Sequence, residues 1–254
     1  MATGTTTVVV GAAQGIGATI ARRLVPRSGD GRLVLADIRT DRLTALADEL
    51  GQGGAKVEAV PTDITDPSEI GNLLDASRDA TRVALVAGIF QASPSLDVTR
   101  SDFERIIGVN LIGTFLVAQR YAEAMLSAEG GAICAIGSIA ARMPRMRQAA
   151  YCASKAGMRQ ALRVLGMEVL GHGVRINFVA PGPTATEMMA TLSSDHGNQE
   201  LWRGSPEALR PPIPDRRVGT PDDVAEAVAF LLSDEASHVA LHDLYVDGGE
   251  TLGL

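Results

Sequence analysis

Tyr151 and Lys155 stand four residues apart, and Ser138 precedes the tyrosine by thirteen. A helix repeats every ~3.6 residues, so positions four apart share one face, and a phenol can meet an ammonium there. An isolated tyrosine ionises near pH ~10, too high for a base at neutral pH, and a neighbouring cation lowers that value toward the working range. A serine hydroxyl alongside holds the oxygen that exchanges the proton. The same chain carries Gly11-Ala12-Ala13-Gln14-Gly15-Ile16-Gly17 directly after its first apolar run. Glycines at a strand-to-helix turn let backbone N–H groups approach a pyrophosphate at a helix N-terminus. A proton acceptor beside a dinucleotide loop points to hydride chemistry on an alcohol.

Those residues must be positioned by a larger frame. Apolar runs at 7–10, 32–36, 56–61, 83–87, 131–137, 175–180 and 241–247 alternate with helical patterns. Each run is short and continuous enough to be buried on both faces, which predicts an α/β fold: a single-domain, Rossmann-like, doubly wound seven-stranded parallel sheet over residues 1–254. Helix starts are marked by Asp66-Pro67-Ser68-Glu69 and Thr220-Pro221-Asp222-Asp223, with proline in the first turn. In such sheets ligands bind beyond the carboxyl ends of the strands, where Gly11, Asp37, Asp63, Gly88, Ser138 and Pro181 fall. Residues 188–218 break the alternation with Gly197, Gly204 and prolines 206, 211, 212 and 214. An insertion after a strand end, carrying Met188, Met189, Leu192 and Trp202, is expected to cover the site as a lid.

Composition bounds the partners. A net charge of −7 argues against nucleic acid or an anionic membrane, and no apolar run approaches the ~18 residues of a membrane span. The N-terminus lacks a basic stretch before Val8, so a cytoplasmic protein is expected. Cys134 and Cys152 are expected to be buried free thiols, and four scattered histidines give no ligand spacing, so no metal is expected.

Taken together, the motifs resemble the short-chain dehydrogenase/reductase family from Val8 to the C-terminus. Gly11, Gly15 and Gly17 have that family's glycine spacing, with Gln14 and Ile16 in the same cofactor loop. Val109-Asn110-Leu111-Ile112-Gly113-Thr114 matches the segment that supplies the family's fourth catalytic residue, which gives Asn110 that place beside Ser138, Tyr151 and Lys155. The resemblance implies a locally distorted helix there, whose carbonyl leads a proton relay to the lysine. Two positions depart from the pattern. Val10 replaces a common threonine, and Leu85-Val86 replaces an asparagine that ties neighbouring strands, while Ala87 and Gly88 remain for the cofactor ribose.

The cofactor is expected to be NAD. Asp37 ends the second apolar run twenty residues after Gly17, where a carboxylate accepts both ribose hydroxyls and repels a 2′-phosphate, although Arg39 close by favours the phosphate. By resemblance, Asp63 and Ile64 contact the adenine, Tyr151 and Lys155 also serve the cofactor, and Pro181, Gly182, Thr184 and Thr186 hold the nicotinamide end.

Between Ser138 and Tyr151 lie Arg142, Arg145 and Arg147, three guanidinium groups in a protein that is acidic overall. Arginine binds carboxylates through paired hydrogen bonds, so an acidic substrate is implied. Pro144-Arg145, Gly182-Pro183-Thr184-Ala185-Thr186-Glu187-Met188, Gly204-Ser205-Pro206-Glu207 and the ending Val246-Asp247-Gly248-Gly249-Glu250-Thr251-Leu252-Gly253-Leu254 are similar to the 2,3-dihydro-2,3-dihydroxybenzoate dehydrogenases of catechol-siderophore pathways. That resemblance implies NAD-dependent oxidation of the C3 alcohol of a small carboxylated dihydroaromatic acid, with aromatisation of the product, in siderophore or secondary-metabolite biosynthesis. It further implies a homotetramer packed through residues 103–125 and 151–171. Arg145 and Arg147 would anchor the carboxylate, with Gln148, Met188 and Leu192 also against the substrate. Gln148 stands where methionine is common and Ser193 where tryptophan is common, so an aminated relative, trans-2,3-dihydro-3-hydroxyanthranilate, stays open. A generic NADP-dependent ketoreductase and a non-catalytic dinucleotide sensor are the other readings; Asp37 speaks against the first and the intact Ser138, Tyr151 and Lys155 against the second.

Overall fold

The computed structural model describes residues 5–25, 31–128, 130–190 and 198–252. Its strands are β1 (Thr6–Val10), β2 (Arg32–Asp37), β3 (Lys56–Pro61), β4 (Ala80–Leu85), β5 (Gly131–Ile136), β6 (Val174–Pro181) and β7 (Asp243–Val246). They form one sheet in the order β3-β2-β1-β4-β5-β6-β7, with every neighbouring pair parallel. The chain runs outward from β1 through β3 and then returns to lay β4 on the other side of β1. That reversal opens a crevice beyond the strand ends, where ligands bind in doubly wound sheets.

Parallel neighbours need crossovers, and these are helical: α1 (Gly15–Leu24), α2 (Thr40–Gly51), α3 (Pro67–Ala76), α4 (Arg100–Ile107), α5 (Thr114–Ser127), α6 (Ala149–Val169), the short α7 (Glu187–Ala190) and α8 (Pro221–Leu232). Side chains alternate across a strand, so Val8 and Val10 enter one core while Val9 enters the other. The first core packs Tyr121 and Met125 of α5 and Met158 and Leu162 of α6 on the sheet; the second packs Ile20 of α1, Leu43 of α2 and Val228 of α8 on the opposite face. Burial on both sides explains why the strands read as continuous apolar runs. The start of α3 has its Asp66 side chain accepting from Ser68 N–H, and α8 begins with a reciprocal capping box between Thr220 and Asp223.

β4 differs from the expected 83–87. It starts at Ala80, where half-buried Thr81 and Arg82 obscure the apolar pattern, and stops at Leu85. Beyond it the Val86 and Ala87 N–H groups both donate to the Val10 carbonyl, at 2.8 and 2.9 Å, which turns the chain toward the crevice. The same two bonds tie β1 to β4 at the place where the family asparagine is missing. Cys134 is buried on β5 with its thiol pushed up to about 12 by burial, whereas Cys152 is only half-buried, against expectation. Among the described residues no helix is long and apolar enough to cross a membrane.

Candidate active site

A cavity of about 910 Å³ lies at the carboxyl edge of the sheet. Its floor is the glycine loop. Gly11 has φ 89°, and a Cβ there would lie 2.4 Å from the Ala87 nitrogen; a Cβ on Gly17 would lie 1.8 Å from the Gly11 carbonyl oxygen. Those two glycines let the loop, α1 and the β4 end pack together. At Gly15 the nearest atom to an added Cβ is the Thr186 methyl, 3.6 Å away. Gln14, before α1, makes no side-chain cap, and the first turn of that helix holds no acidic residue, so its N–H groups are left for an anion.

Asp37 lies at the end of β2 with Oδ2 accepting from Ala13 N–H at 3.0 Å and Oδ1 from Arg39 N–H at 2.9 Å. Each oxygen keeps a lone pair for a hydroxyl, and the carboxylate is locked facing the cavity. The Arg39 guanidinium donates instead to the Gln14 side-chain oxygen, and Arg42 bridges Gln14 at 3.0 Å and Glu187 at 2.9 Å. Asp63 and Ile64 follow β3 along the same wall. Asp63 Oδ1 accepts from the Thr65 N–H and hydroxyl, at 2.8 and 2.7 Å, leaving Oδ2 for a further donor.

At the far end four residues from different elements converge. Ser138 follows β5, Tyr151 and Lys155 lie on one face of α6, and Asn110 sits in a π-helical turn, Gly108–Gly113, between α4 and α5. The expected helix distortion is therefore present, of a kind that recurs at functional sites. The Asn110 side chain is fully engaged: it donates to the Ile89 carbonyl and the Ser154 hydroxyl, at 2.9 and 3.1 Å, and accepts from Ile89 N–H at 2.8 Å. The Lys155 ammonium donates to the Ile136 carbonyl at 2.8 Å. A Cβ on Gly88 would lie 3.3 Å from Asn110 Oδ1 and 3.6 Å from Lys155 Nζ, so this backbone packs closely on both groups.

The electrostatics differ from the sequence expectation. Burial pushes the Tyr151 phenol above its usual 10, and the hydrogen bond with Ser138 only partly offsets this. Burial also lowers the Lys155 ammonium to about 8. Desolvation penalises both charged forms, and within the chain alone the tyrosine is not drawn toward the phenolate.

Pro181, Gly182, Thr184 and Thr186 line the cavity beside these groups. The buried Thr184 hydroxyl donates to the Gly182 carbonyl at 3.0 Å, fixing the turn, while the Thr186 hydroxyl accepts from Met189 N–H at 3.3 Å and so begins α7. The glycine cradle, the locked Asp37 and a cavity long enough to reach Tyr151 fit a nicotinamide dinucleotide.

On the substrate side Arg145, Gln148 and Met188 line the same cavity as Tyr151. Arg147 does not. Its φ of 65° turns the exposed side chain away, against a separate small depression beside Gln91 and Asp102. Leu192 and Ser193 lie outside the described residues. Arg145 is not a free anchor either: its Nη2 donates to Glu250 Oε1 at 2.7 Å, and Arg210, also lining the cavity, approaches the same oxygen at 3.8 Å. Neither Glu250 nor Arg210 was anticipated as a site residue. Glu250 was detectable as one of two acidic residues, with Asp247, in a glycine-rich ending, whereas Arg210 precedes Pro211 and Pro212 with no diagnostic spacing.

A family model described as enoyl-(acyl carrier protein) reductase matches residues 11–251. The chain is 33% identical to the 2,3-dihydro-2,3-dihydroxybenzoate dehydrogenase of Bacillus subtilis (strain 168) over 251 residues, 97% of this chain and 95% of that one. It is equally 33% identical to the D-threitol dehydrogenase of Mycolicibacterium smegmatis, over 98% of this chain and 94% of that protein. A crystal structure of a putative NAD(P)-dependent gluconate 5-dehydrogenase from Beutenbergia cavernae, with NADP bound, superposes with a TM-score of 0.87 at 35% identity, covering 99% and 98% of the two chains.

Proposed function

The chain belongs to the short-chain dehydrogenase/reductase family, and from that premise we propose that it uses NAD to oxidise the C3 alcohol of 2,3-dihydro-2,3-dihydroxybenzoate, giving 2,3-dihydroxybenzoate for siderophore or secondary-metabolite biosynthesis. Membership makes it an oxidoreductase acting on CH–OH groups with a nicotinamide dinucleotide. The observation that carries the substrate reading is the arginine pair, Arg145 and Arg210, lining the cavity that also holds Tyr151. The likeness to the Bacillus subtilis enzyme supports it, and the equal identity to a polyol dehydrogenase makes the carboxylate recognition decisive.

In this reading the Tyr151 phenolate oxygen takes the proton of the C3 hydroxyl, while the Ser138 hydroxyl donates to the same substrate oxygen and fixes its direction. Bound NAD would supply the acceptor for the C3 hydride and a positive ring that favours the phenolate. Lys155 adds a second cation and holds the ribose. Asn110 has spent its side chain on Ile89 and Ser154, so its part in passing the proton falls to its main-chain carbonyl in the π-helical turn. The ketone then tautomerises to a phenol, and aromatisation makes the oxidation irreversible. Phe90, edge-on to Tyr151 at 5.0 Å between ring centroids, keeps the phenol dry. The expected lid at 188–218, of which 191–197 lie outside the described residues, would cover this end, and the exposed Ile112, Val164, Met167 and Leu170 give the faces through which four copies assemble.

A second reading has one observation in its favour. Gln148 lines the cavity and offers both a donor and an acceptor, which suits the amino group of trans-2,3-dihydro-3-hydroxyanthranilate. Both acids should be assayed with NAD by NADH fluorescence beside neutral polyols. Turnover of the dihydroxy acid supports the proposal; inertness toward both acids overturns it.

A further inference from the structure

Three charged side chains meet behind the substrate end of the cavity in unequal number. Glu250 has a side chain of zero exposure, and Arg145 and Arg210 are 9% and 14% exposed. Arg145 makes a close bond to Glu250 Oε1, whereas Arg210 Nη1, at 3.8 Å from that oxygen, makes no hydrogen bond, and Glu250 Oε2 has no partner at all. Two guanidinium groups thus share one oxygen of a single buried carboxylate, and only Arg145 bonds it closely. A buried ion pair serving structure alone gains only when its charges and hydrogen bonds are fully matched. An anion arriving from the cavity side would give Arg210 Nη1 the acceptor it lacks. The two arginines line the cavity and Glu250 stands behind them.

We propose that Arg210 and Glu250 complete, with Arg145, a recognition site for the carboxylate of the substrate: Arg145 and Arg210 contact the anion, and Glu250 is a positioning residue that holds both guanidinium groups toward it. The proposal deepens the functional reading above and rests on it only for the identity of the reacting ring. Two guanidinium groups facing the cavity suit an anion and disfavour a neutral polyol.

The backbone is built to aim these groups. Ser205 and Arg210 exchange two main-chain hydrogen bonds of 2.9 Å across a tight turn, and Leu209 accepts a left-handed φ of 50° within it. A Cβ on Gly204 would lie 2.6 Å from the Arg210 carbonyl, so only glycine lets the turn close. Arg210 Nη2 donates to the Leu201 carbonyl, which fixes the guanidinium plane. On the other side Asp247 accepts from Gly249 N–H and from the N–H and hydroxyl of Thr251, and the turn through Gly248 and Gly249, both at positive φ, points Glu250 inward. Strain of this kind persists where surrounding structure over-determines it, as at ligand clamps.

The experiment compares kcat/KM for 2,3-dihydro-2,3-dihydroxybenzoate with that for the ring lacking the carboxylate, cyclohexa-3,5-diene-1,2-diol, in wild type, Arg210→Gln, Glu250→Gln and Glu250→Asp. The ratio of acid to neutral diol should fall at least tenfold in Arg210→Gln and in Glu250→Gln, mainly through KM for the acid, and Glu250→Asp should recover part of it. In parallel, benzoate and benzamide are titrated against the NAD complex in a thermal-shift assay, a readout independent of which ring is oxidised. Benzoate should raise the Tm of wild type more than benzamide does, and Arg210→Gln should erase that difference. If the acid is not a substrate but the benzoate preference still depends on Arg210, the functional reading fails and the anion site stands. A ratio and a benzoate preference unchanged in Arg210→Gln overturn the proposal. Equal losses for acid and diol, with no benzoate preference in wild type, assign the three residues to structure alone and overturn it as well.

Discussion

The Lys155 ammonium lies 5.9 Å from the centroid of the Tyr151 ring, close enough to bias the phenol and too far to bond it. Lys155 is buried and Tyr151 half-buried, and desolvation drives each toward its neutral form: the phenol upward from 10, the ammonium down to about 8. A bound positive nicotinamide would favour the phenolate. Alcohol oxidation needs the phenolate, so kcat/KM should climb with pH between 7 and 9, the log–log slope approaching one. Tyr151→Phe should lose turnover while keeping NAD affinity, since the phenol contributes proton transfer rather than dinucleotide binding. More than roughly a tenth of wild-type kcat surviving in that variant would show that another group is the base.

Lysine burial also makes a stability statement with a definite sign. A base whose pKa is lowered on folding, here from 10.5 to about 8, binds fewer protons in the native than in the unfolded state between those two values. Native stability from this group therefore rises with pH across that window, and the full cost of burying the ammonium is present below about 8. Measured as Tm, the difference between Lys155→Met and wild type should shift in favour of wild type as pH increases from 8 to 10. A pH-independent difference would mean that the ammonium is solvated in the folded chain.

The candidate catalytic residues were legible because their signal is local. Tyr151 and Lys155 obey helical spacing, Ser138 ends an apolar run, and Asp37 sits at a fixed distance beyond Gly17 on the next strand. Burial of the sheet on both faces wrote the seven strands into the sequence as continuous apolar runs. What remained illegible depends on single backbone torsions and on residues distant in the chain. Three closely spaced arginines read as one anionic site, yet the left-handed φ at Arg147 sends that side chain outward. Arg210 and Glu250 come together only because two tight turns face each other, and no periodicity reports that. Polar Thr81 and Arg82 concealed the start of β4, since half-exposed strand ends carry no apolar pattern.

Cofactor choice should follow Asp37. Its two oxygens are held by Ala13 and Arg39 N–H groups and can accept ribose hydroxyls, so an added 2′-phosphate meets a fixed negative charge. Wild type should favour NAD over NADP in kcat/KM, and Asp37→Ala should narrow or reverse that preference, because Arg39 and Arg42 then stand beside the phosphate without the opposing carboxylate. Equal use of both cofactors by the wild type would sink this expectation.

Gly17→Ala tests the glycine loop through packing alone. The added methyl would fall 1.8 Å from the Gly11 carbonyl oxygen, a backbone atom that cannot rotate away, whereas a methyl on Gly51 at the end of α2 would meet nothing within 4 Å. Overpacking of this sort costs on the order of 1–3 kcal/mol, and the loop displacement should also abolish NAD binding. Gly51→Ala should leave both stability and binding close to wild type. Comparable effects at the two positions would remove the steric argument.

Gln148 decides between two substrates that share the same C3 chemistry. It stands one residue before α6, its main-chain N–H donating to the Arg145 carbonyl at 3.2 Å, and its side chain lines the cavity between the arginine pair and Tyr151. A hydroxyl at C2 can pair with the amide as donor or acceptor, and an ammonium or amine at C2 pairs with its oxygen. A thioether provides neither donor nor a good acceptor, so Gln148→Met should weaken both substrates, and should weaken more the one whose C2 group the amide was placed to hold. If the dihydroxy acid is the substrate, its KM should rise by several-fold in the variant, while the amino acid remains the poorer substrate throughout. A wild-type preference for trans-2,3-dihydro-3-hydroxyanthranilate that collapses in Gln148→Met would instead assign the amide to the amino group and reverse the order of the two acids.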